Sequence, residues 1–436
     1  MTQLRRKLTL YGLTMIAVGS CIGSGIFITP NEIAGVLGHP SWIIIVWLLG
    51  GIIALTGALT FAELGGLFPK SGGVYVFLKE AYGPLAGFLY GWMILLVINT
   101  GALAALGVAF AEYLKFFIPG LSANDVLIVA ASTVIILTAI NCLGVNISQW
   151  LSNIFTGGKL LAILVIIVIG FAYIQPHAIT LEWSLGRAAP SPLHTALLTA
   201  LIGVLWSFGG WHHTSYLAGE AIEPQRTIPR AMILGTGIVT VTYVLVNMAY
   251  LFLLPIPAIA GTERVAGDAL AVVIPWGGQL VAVFIAISIF GTVAIYTMSA
   301  PRIYYAMAKD GLFFSALAKV HPKYGTPVNA MVVQAVWALV LLIAWGTFSN
   351  LITYVTFMDI CFMAMAGASI FIFRKRLPQQ DRPYRTHGYP IVPAIFIFIC
   401  VAFVINTLIA RPTQAYAGLI LLLSGVLFYY VFKKRA

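Results

Sequence analysis

Long runs of apolar residues follow one another along the whole of this chain. An α-helix needs about 20 apolar residues to cross the hydrocarbon core of a bilayer, and most of the runs reach about that length. Of the 436 residues, 61% are hydrophobic and only 8% are charged. Soluble globular domains contain about 25% charged residues, so that class is excluded. The sequence therefore predicts an all-α polytopic membrane protein.

Each run predicts one membrane-spanning helix, which gives twelve spans. The first five predicted spans are Leu10–Ala34, Ser41–Leu67, Gly83–Lys115, Val126–Asn141 and Leu151–Tyr173. The next five are His194–Ala218, Ala231–Leu254, Leu280–Met307, Val328–Trp345 and Leu351–Arg374. The last two are Ile391–Ile409 and Ala415–Phe432.

The formal net charge of +11 is distributed unevenly between the two sides of these spans. With the N-terminus inside the cell, 19 of the 24 Lys and Arg residues fall in cytoplasmic segments, such as Arg5 to Lys7 and the loop from Arg374 to Arg385. Cytoplasmic loops of membrane proteins carry an excess of Lys and Arg. We therefore expect a plasma-membrane protein with both termini in the cytoplasm. Topology explains the basic surplus, so no nucleic-acid partner is predicted.

The first apolar run contains Gly-Ser-Cys-Ile-Gly-Ser-Gly-Ile-Phe, from Gly19 to Phe27. Glycine and serine weaken a helix here, and non-helical backbone at membrane depth is tolerated only where protein or a cavity surrounds it. In an interrupted helix, the first half ends with free carbonyl groups and the second half begins with free N–H groups. The partial negative charge of the carbonyls and the partial positive charge of the N–H groups suit the two charged groups of a zwitterion. The alternative is that these small residues only allow close helix packing.

A second interruption, from Leu205 to His213, contains Gly209 and Gly210 between aromatic residues. Interrupted helices at equivalent places in two halves of a chain indicate an inverted-repeat transporter with its site between the repeats. We predict a first repeat over residues 1–175, a second over 176–376 and a C-terminal helix pair over 377–436.

Two charged residues lie well inside predicted spans. A charge there costs about 2.5–3.5 kcal/mol on insertion scales, so Lys159 is expected to face the bundle interior and meet carbonyl groups, unless it reaches the membrane surface. An ammonium there would occupy the place of a bound cation, which argues against sodium coupling. Asp359 is interpreted as a substrate counter-ion, a proton site or an inward polar contact.

Other polar residues have a structural and a functional interpretation. For Glu63, an ion pair or helix cap is favoured over a substrate contact. Neighbouring helical residues point about 100° apart, so His212 and His213 are interpreted as hydrogen-bonded histidines rather than metal ligands, with proton sensing as the lesser alternative. No metal or cofactor is predicted. Glu220 or Arg226 is expected either to pair with another cytoplasmic segment as an inner gate or to lie in a solvated loop.

Several motifs together resemble the amino acid–polyamine–organocation superfamily, and most of all its L-type amino acid transporters and their bacterial exchanger relatives. They are the Gly19–Phe27 sequence, the run from Glu63 to Tyr75, Phe208-Gly209-Gly210-Trp211, Glu220 with Pro224 to Arg230, and Arg302 to Gly311. The resemblance covers essentially the whole chain. It implies a LeuT-like five-plus-five inverted repeat with helices 1 and 6 broken, followed by two C-terminal helices.

The resemblance also implies which residues contact an L-amino acid. The substrate carboxylate would meet backbone N–H groups around Gly23, Ser24 and Gly25, and the amino group would meet carbonyls of the two interruptions. The full expected set is Cys21, Ile22, Gly23, Ser24, Gly25, Trp206, Ser207, Phe208 and Gly209, with Cys21, Trp206 and Ser207 on the amino group.

Four further features follow from the resemblance. Trp206 lies where the family has its gating aromatic, commonly phenylalanine, and its larger ring favours small substrates. His212 replaces the family's asparagine. Lys159 matches the lysine of sodium-independent bacterial members. The loop Lys115–Asp125 lacks the cysteine that attaches an accessory glycoprotein in animal relatives, so no disulfide-linked subunit is expected.

These observations predict a sodium-independent transporter that exchanges neutral L-amino acids by alternating access. The alternatives are a proton-coupled symporter and a carrier of cationic amino acids or polyamines. An enzyme would need a catalytic constellation, which the sequence does not suggest. A channel would need a continuous polar pore rather than two localised interruptions.

Overall fold

The computed structural model describes residues 4–115, 117–118, 120–179, 183, 192–345, 348–410 and 412–433. The outermost residues of both predicted cytoplasmic termini, and positions 116 and 119 of the Lys115–Asp125 loop, lie outside the described residues. The described chain is helical apart from its connections, and an isolated β-bridge joins Leu8 to Ala221.

The helices of the first half are α1 (Leu10–Cys21), α2 (Gly25–Leu37), α3 (Pro40–Leu67), α4 (Val74–Tyr82), α5 (Pro84–Met93), α6 (Asn99–Leu114), α7 (Ala123–Cys142), α8 (Val145–Ala172) and α9 (Pro176–Ile179). Those of the second half are α10 (Leu193–Phe208), α11 (His213–Tyr216), α12 (Pro224–Leu253), α13 (Ile256–Ala260), α14 (Val265–Ala271), α15 (Gly277–Ser299) and α16 (Pro301–Lys309). The last four are α17 (Val328–Trp345), α18 (Phe348–Arg376), α19 (Ile391–Ala410) and α20 (Pro412–Lys433).

Many of these helices are long and apolar enough to cross a membrane. The described residues contain nine such helical stretches and three shorter apolar helices, Leu193–Phe208, Val328–Ala344 and Gly418–Lys433. Every predicted span is helical for most of its length. The protein is therefore an all-helical, polytopic membrane protein, as predicted.

Both predicted interruptions are present. The first long helix ends at Cys21, and α2 begins at Gly25 after three non-helical residues. The helix α10 ends at Phe208, and helical backbone resumes only at His213. These are the places where paired or closely spaced glycines weaken the intrahelical hydrogen bonding.

Two other irregularities were not predicted. The third span contains a π-helical turn, Ile94–Ile98, between α5 and α6, and Thr100 Oγ1 donates to the Leu95 carbonyl 2.6 Å away. The predicted span Leu280–Met307 is divided where α15 ends at Ser299 and α16 begins with Pro301. Because proline has no N–H group to continue the helical hydrogen bonding, Pro301 explains why the helix is divided between α15 and α16.

The core of the bundle lies where α12 packs against α3 and α1, and where α15 packs against α8 and α6. The helix α8 is two-sided. Its exposed side carries large apolar residues that we expect to contact lipid, namely Trp150, Ile154, Leu161, Leu164 and Val168. Its buried side contains Lys159, whose side chain points toward the interruption of the first helix.

Candidate functional site

The two interruptions meet in the middle of the bundle. The Cys21 thiol lies 3.4 Å from the Phe208 carbonyl oxygen, and the hydroxyls of Thr29 and Ser207 are 3.2 Å apart. The Tyr243 hydroxyl on α12 lies 2.9 Å from the carbonyl oxygens of both Cys21 and Ser207. One buried phenol therefore holds the carbonyl end of each interrupted helix.

Two glycines permit this close approach. A Cβ atom on Gly25 would lie 2.8 Å from Ser207 Cα, closer than real Cβ contacts occur. Gly210 has a φ of 111°, and a Cβ there would lie 2.8 Å from the Ser20 carbonyl oxygen. A larger residue at either position would push the two interruptions apart.

Lys159 lies against the carbonyl end of α1. Its Nζ donates to the carbonyl oxygens of Gly19 at 3.0 Å and Ile22 at 2.6 Å, and to Thr292 Oγ1 of α15 at 2.9 Å. The side chain is fully buried. The prediction that this lysine faces the bundle and meets carbonyls is confirmed. Because α8 begins at Val145, six residues earlier than predicted, Lys159 also lies deeper than expected.

The backbone at the start of α2 presents free donors. The Gly23 amide donates to the Cys21 carbonyl at 2.9 Å, so it is already occupied. The amides of Ser24, Gly25 and Ile26 have no acceptor among the described residues. The buried Ser24 hydroxyl also lacks a partner there. Such a helix start attracts an anionic group, because its N–H groups and dipole converge on one point.

A cavity of about 60 Å³ lies beside the interruption of α10. One water needs roughly 10–15 Å³ of cavity space, so this cavity can hold a small polar or apolar group. Its wall includes residues from the interruption of α10 and from α3, α6, α15 and α18, among them Ala54, Asn99, Trp206, Phe208, Gly209, His212, His213, Tyr216, Tyr296, Thr356 and Asp359.

Only part of the predicted substrate set lines this cavity. Trp206, Phe208 and Gly209 belong to its wall. The other six, Cys21, Ile22, Gly23, Ser24, Gly25 and Ser207, do not belong to the described wall and lie in or next to the contact between the interruptions. The structure therefore brings all nine predicted residues into one region. Three of them line the cavity, and six lie at the contact between the two interruptions.

Several wall residues were not predicted. Asn99, Tyr216, Tyr296 and Thr356 all line the cavity. Nothing in their local sequence marks them, because an apolar helix with an occasional polar residue is common in membrane bundles. Their position depends on helix packing and, for Asn99, on the π-helical turn that precedes it.

The His pair is divided between two environments. His213 Nδ1 lies 2.7 Å from Ser299 Oγ, and its ring stacks on Tyr296 with centroids 4.3 Å apart. His212 packs its ring against Trp211 and Tyr216. For His213, the interpretation as a hydrogen-bonded histidine is confirmed. The described residues contain no cluster of three potential metal ligands.

Glu220 has a buried partner at the predicted cytoplasmic end. Arg302 Nε and Nη2 donate to its two carboxylate oxygens at 2.7 and 2.8 Å, and both side chains are fully buried. The backbone amides of Lys7 and Leu8 donate to the Glu220 carbonyl at 2.8 and 2.9 Å. The predicted pairing with another segment is confirmed for Glu220, whereas Arg226 is exposed.

Glu63 forms a structural ion-pair centre. Arg374 donates to its two oxygens at 2.7 Å each, Arg382 lies 3.1 Å away, and the Thr386 amide donates at 2.8 Å. This confirms the ion-pair interpretation. It also explains how the loop after α18 is attached to α3.

A third polar contact lies outside the spans. Lys79 of α4 donates to Asp310 at 2.8 Å, and Tyr75 donates to the same carboxylate at 2.7 Å. Partial burial lowers the pKa of Lys79, but the hydrogen bonds and charges of Asp310 and Glu80 together outweigh burial and raise it. The ion pair therefore joins α4 to the end of α16.

Comparison with known sequences identifies the family. Residues 8–431 match the sequence model for amino acid permeases. The chain belongs to the amino acid permease family. This permease is 33% identical over 431 residues to the serine/threonine exchanger SteT of Bacillus subtilis (strain 168), covering 98% of the chain and 96% of that protein.

Animal transporters are similar over almost the same length. The permease is 29% identical over 439 residues to b(0,+)-type amino acid transporter 1 of Mus musculus, covering 99% of the chain and 88% of that protein. It is 31% identical over 442 residues to large neutral amino acids transporter small subunit 2 of Oryctolagus cuniculus, covering 98% and 80%. The resemblance found in the motifs is confirmed, and the permease belongs to a transporter family rather than to an enzyme family.

Proposed function

We propose that the permease exchanges small neutral L-amino acids across the plasma membrane without sodium, by alternating access. The observation that carries the proposal is Lys159, whose ammonium bonds the Gly19 and Ile22 carbonyls at 3.0 and 2.6 Å. Carbonyls of an unwound helix are where transporters of this kind coordinate a coupling cation. We infer that the Lys159 ammonium, a covalently attached cation, takes that position here.

The substrate is proposed to lie across both interruptions. Its carboxylate accepts hydrogen bonds from the free amides of Ser24, Gly25 and Ile26, and its amino group meets carbonyls near Cys21, Trp206 and Ser207. Its side chain enters the cavity, whose volume of about 60 Å³ favours a short one. Trp206 acts as the gating aromatic over it.

The finer architecture follows the same reasoning. Two interrupted helices, at α1–α2 and α10–α11, support a LeuT-like five-plus-five inverted repeat with helix pair α19–α20 outside it. The repeat bounds are those predicted from the sequence, with both termini in the cytoplasm. The transporter is proposed to work without a disulfide-linked subunit. The exchanger named among its relatives supports exchange as the mode of transport.

Proton-coupled symport is the second candidate. The carboxylate of Asp359 lines the cavity, and its Oδ1 is buried without a hydrogen-bond partner among the described residues. A carboxylate in such a place can carry a proton or meet a cationic substrate. This observation also keeps a carrier of cationic amino acids or polyamines as an alternative.

The test is uptake of labelled amino acids into proteoliposomes, with and without unlabelled amino acid inside, in sodium and in potassium. Uptake that requires internal substrate and is equal in both salts supports the proposal. Uptake into empty vesicles driven by a proton gradient would instead establish symport. Uptake that requires sodium would refute the role given to Lys159.

A further inference from the structure

Asp359 lies at the centre of one wall of the cavity. The side of α18 that faces the cavity consists of Val355, Thr356, Asp359, Ile360 and Met363. Within the described wall there is no lysine or arginine, and Asp359 is the one carboxylate. Apart from Thr356, the neighbouring side chains on this face are apolar, so the buried carboxylate loses hydration and gains no hydrogen bond from them.

The cavity contains acceptors that no described residue satisfies. Asp359 Oδ1 and Asn99 Oδ1 are both buried without a hydrogen-bond partner, and so is the hydroxyl of Thr356. The Asp359 carboxylate forms no salt bridge with any other described residue, and its Oδ1 accepts no hydrogen bond from one. The Oδ1 atoms of Asn99 and of ionised Asp359 can only accept, whereas the Thr356 hydroxyl can also donate.

Several polar groups of the wall are already hydrogen-bonded to other residues. The Asn99 amide nitrogen donates to Gln334 Oε1 at 3.1 Å. The hydroxyl of Tyr216 lies 2.5 Å from that of Tyr90, and His213 Nδ1 is held by a serine hydroxyl. Asp359 Oδ1 accepts a hydrogen bond from none of these groups. Leaving a buried acceptor unsatisfied is costly, and more so for a charged group.

We infer that Asp359 is a specificity-determining residue that accepts a hydrogen bond from the side chain of the substrate. The inference rests on the proposed function, because it assumes that an amino acid occupies the two interruptions with its side chain in the cavity. The volume of about 60 Å³ limits that side chain to a short one. The substrate class is thus a small amino acid with a donor on its side chain, either a hydroxyl or a short-chain amino group.

The experiment compares substrates of equal size in proteoliposomes of the full chain. Serine and α-aminobutyrate differ only by a hydroxyl in place of a methyl group, as do threonine and valine. We expect the wild type to exchange the hydroxyl-bearing member at least about tenfold faster at limiting concentration, the factor that one hydrogen bond to a charged group supplies.

Two variants then assign the preference to Asp359. Asp359→Leu removes the acceptor at similar size and should make the paired substrates equal. Asp359→Asn keeps an acceptor oxygen but loses the charge, so it should retain the preference for serine while losing any uptake of diaminopropionate. Cys361→Ala, two positions along α18 and not on the described wall, is the control and should keep the wild-type preference.

The possible outcomes distinguish failure of the proposed function from failure of the inference about Asp359. If the wild type exchanges no amino acid, the proposed function fails and the inference fails with it. If it exchanges amino acids but treats serine and α-aminobutyrate alike, the inference alone is overturned, whatever the variants do. A wild-type preference that persists in a folded Asp359→Leu protein would likewise overturn it.

Discussion

Replacing Lys159 with alanine is expected to slow exchange by about 30- to 150-fold while leaving the protein folded. The substitution removes hydrogen bonds to two carbonyls and to Thr292, and each bond to a charged group is worth about 1.5–3 kcal/mol. Part of this is offset, because Ser288 and Thr292 hydroxyls lie 3.2 and 3.0 Å from the Ile22 carbonyl and can continue to satisfy it. A net loss of about 2–3 kcal/mol corresponds to the stated range at 1.36 kcal/mol per factor of ten.

The assay is exchange of a labelled amino acid in proteoliposomes, with protein folding checked by thermal unfolding in detergent. Lys159→Met keeps most of the side-chain volume but has no ammonium, so it should be nearly as slow as the alanine variant. Lys323→Ala is the matched control, because Lys323 is an exposed lysine in a turn and its removal should change the rate less than about twofold.

Normal kinetics in Lys159→Ala would refute the role given to this lysine. A rate that falls in the alanine variant but recovers in Lys159→Met would indicate a packing role instead of an electrostatic one. Stimulation of the alanine variant by sodium, absent from the wild type, would support the idea that the ammonium occupies a cation position.

Three further predictions concern neighbouring contacts. Gly25→Leu should abolish substrate binding measured by calorimetry, because its side chain would collide with the opposite interruption, and unchanged affinity would contradict the site. Tyr243→Phe removes one buried hydroxyl from two carbonyls and should slow exchange about fivefold, the effect of about 1 kcal/mol; a wild-type rate would mean that the hydroxyl is dispensable. Glu220→Gln breaks a fully buried ion pair and should lower the free energy of unfolding by about 3–5 kcal/mol. Its thermal midpoint in detergent should therefore fall far more than that of Glu112→Gln, which breaks an exposed pair, and equal midpoints in the two variants would exclude this effect.

Local composition made part of this structure predictable. The glycines at 19, 23 and 25 and at 209 and 210 mark the interruptions because they act on the backbone of their own helix. Lys159 and Glu63 were found because a charge in an apolar run has to be paired, which restricts its direction even when its partner is unknown.

The remaining features depend on contacts between distant segments. Arg302 follows Glu220 by 82 residues, and their pairing requires α16 to lie beside the short turn Ala218–Glu220 that follows α11, which no local pattern specifies. Asn99 and Tyr296 reach one cavity from α6 and α15. The π-helical turn at Ile94–Ile98 is composed only of aliphatic residues, so the sequence there is equally suited to a regular helix.

The position of Lys159 also bears on why exchange, rather than net transport, is the expected mode. In a sodium-coupled carrier, the cation at the carbonyls of the first helix arrives and leaves during each cycle, so its gradient contributes free energy. A lysine side chain is always present and contributes no such gradient. Substrate would then be the only ligand whose occupancy changes, and only its binding energy could offset the opening of buried contacts such as Glu220 with Arg302. An empty carrier would lack that contribution and would return slowly, so each inward crossing would depend on substrate carried outward.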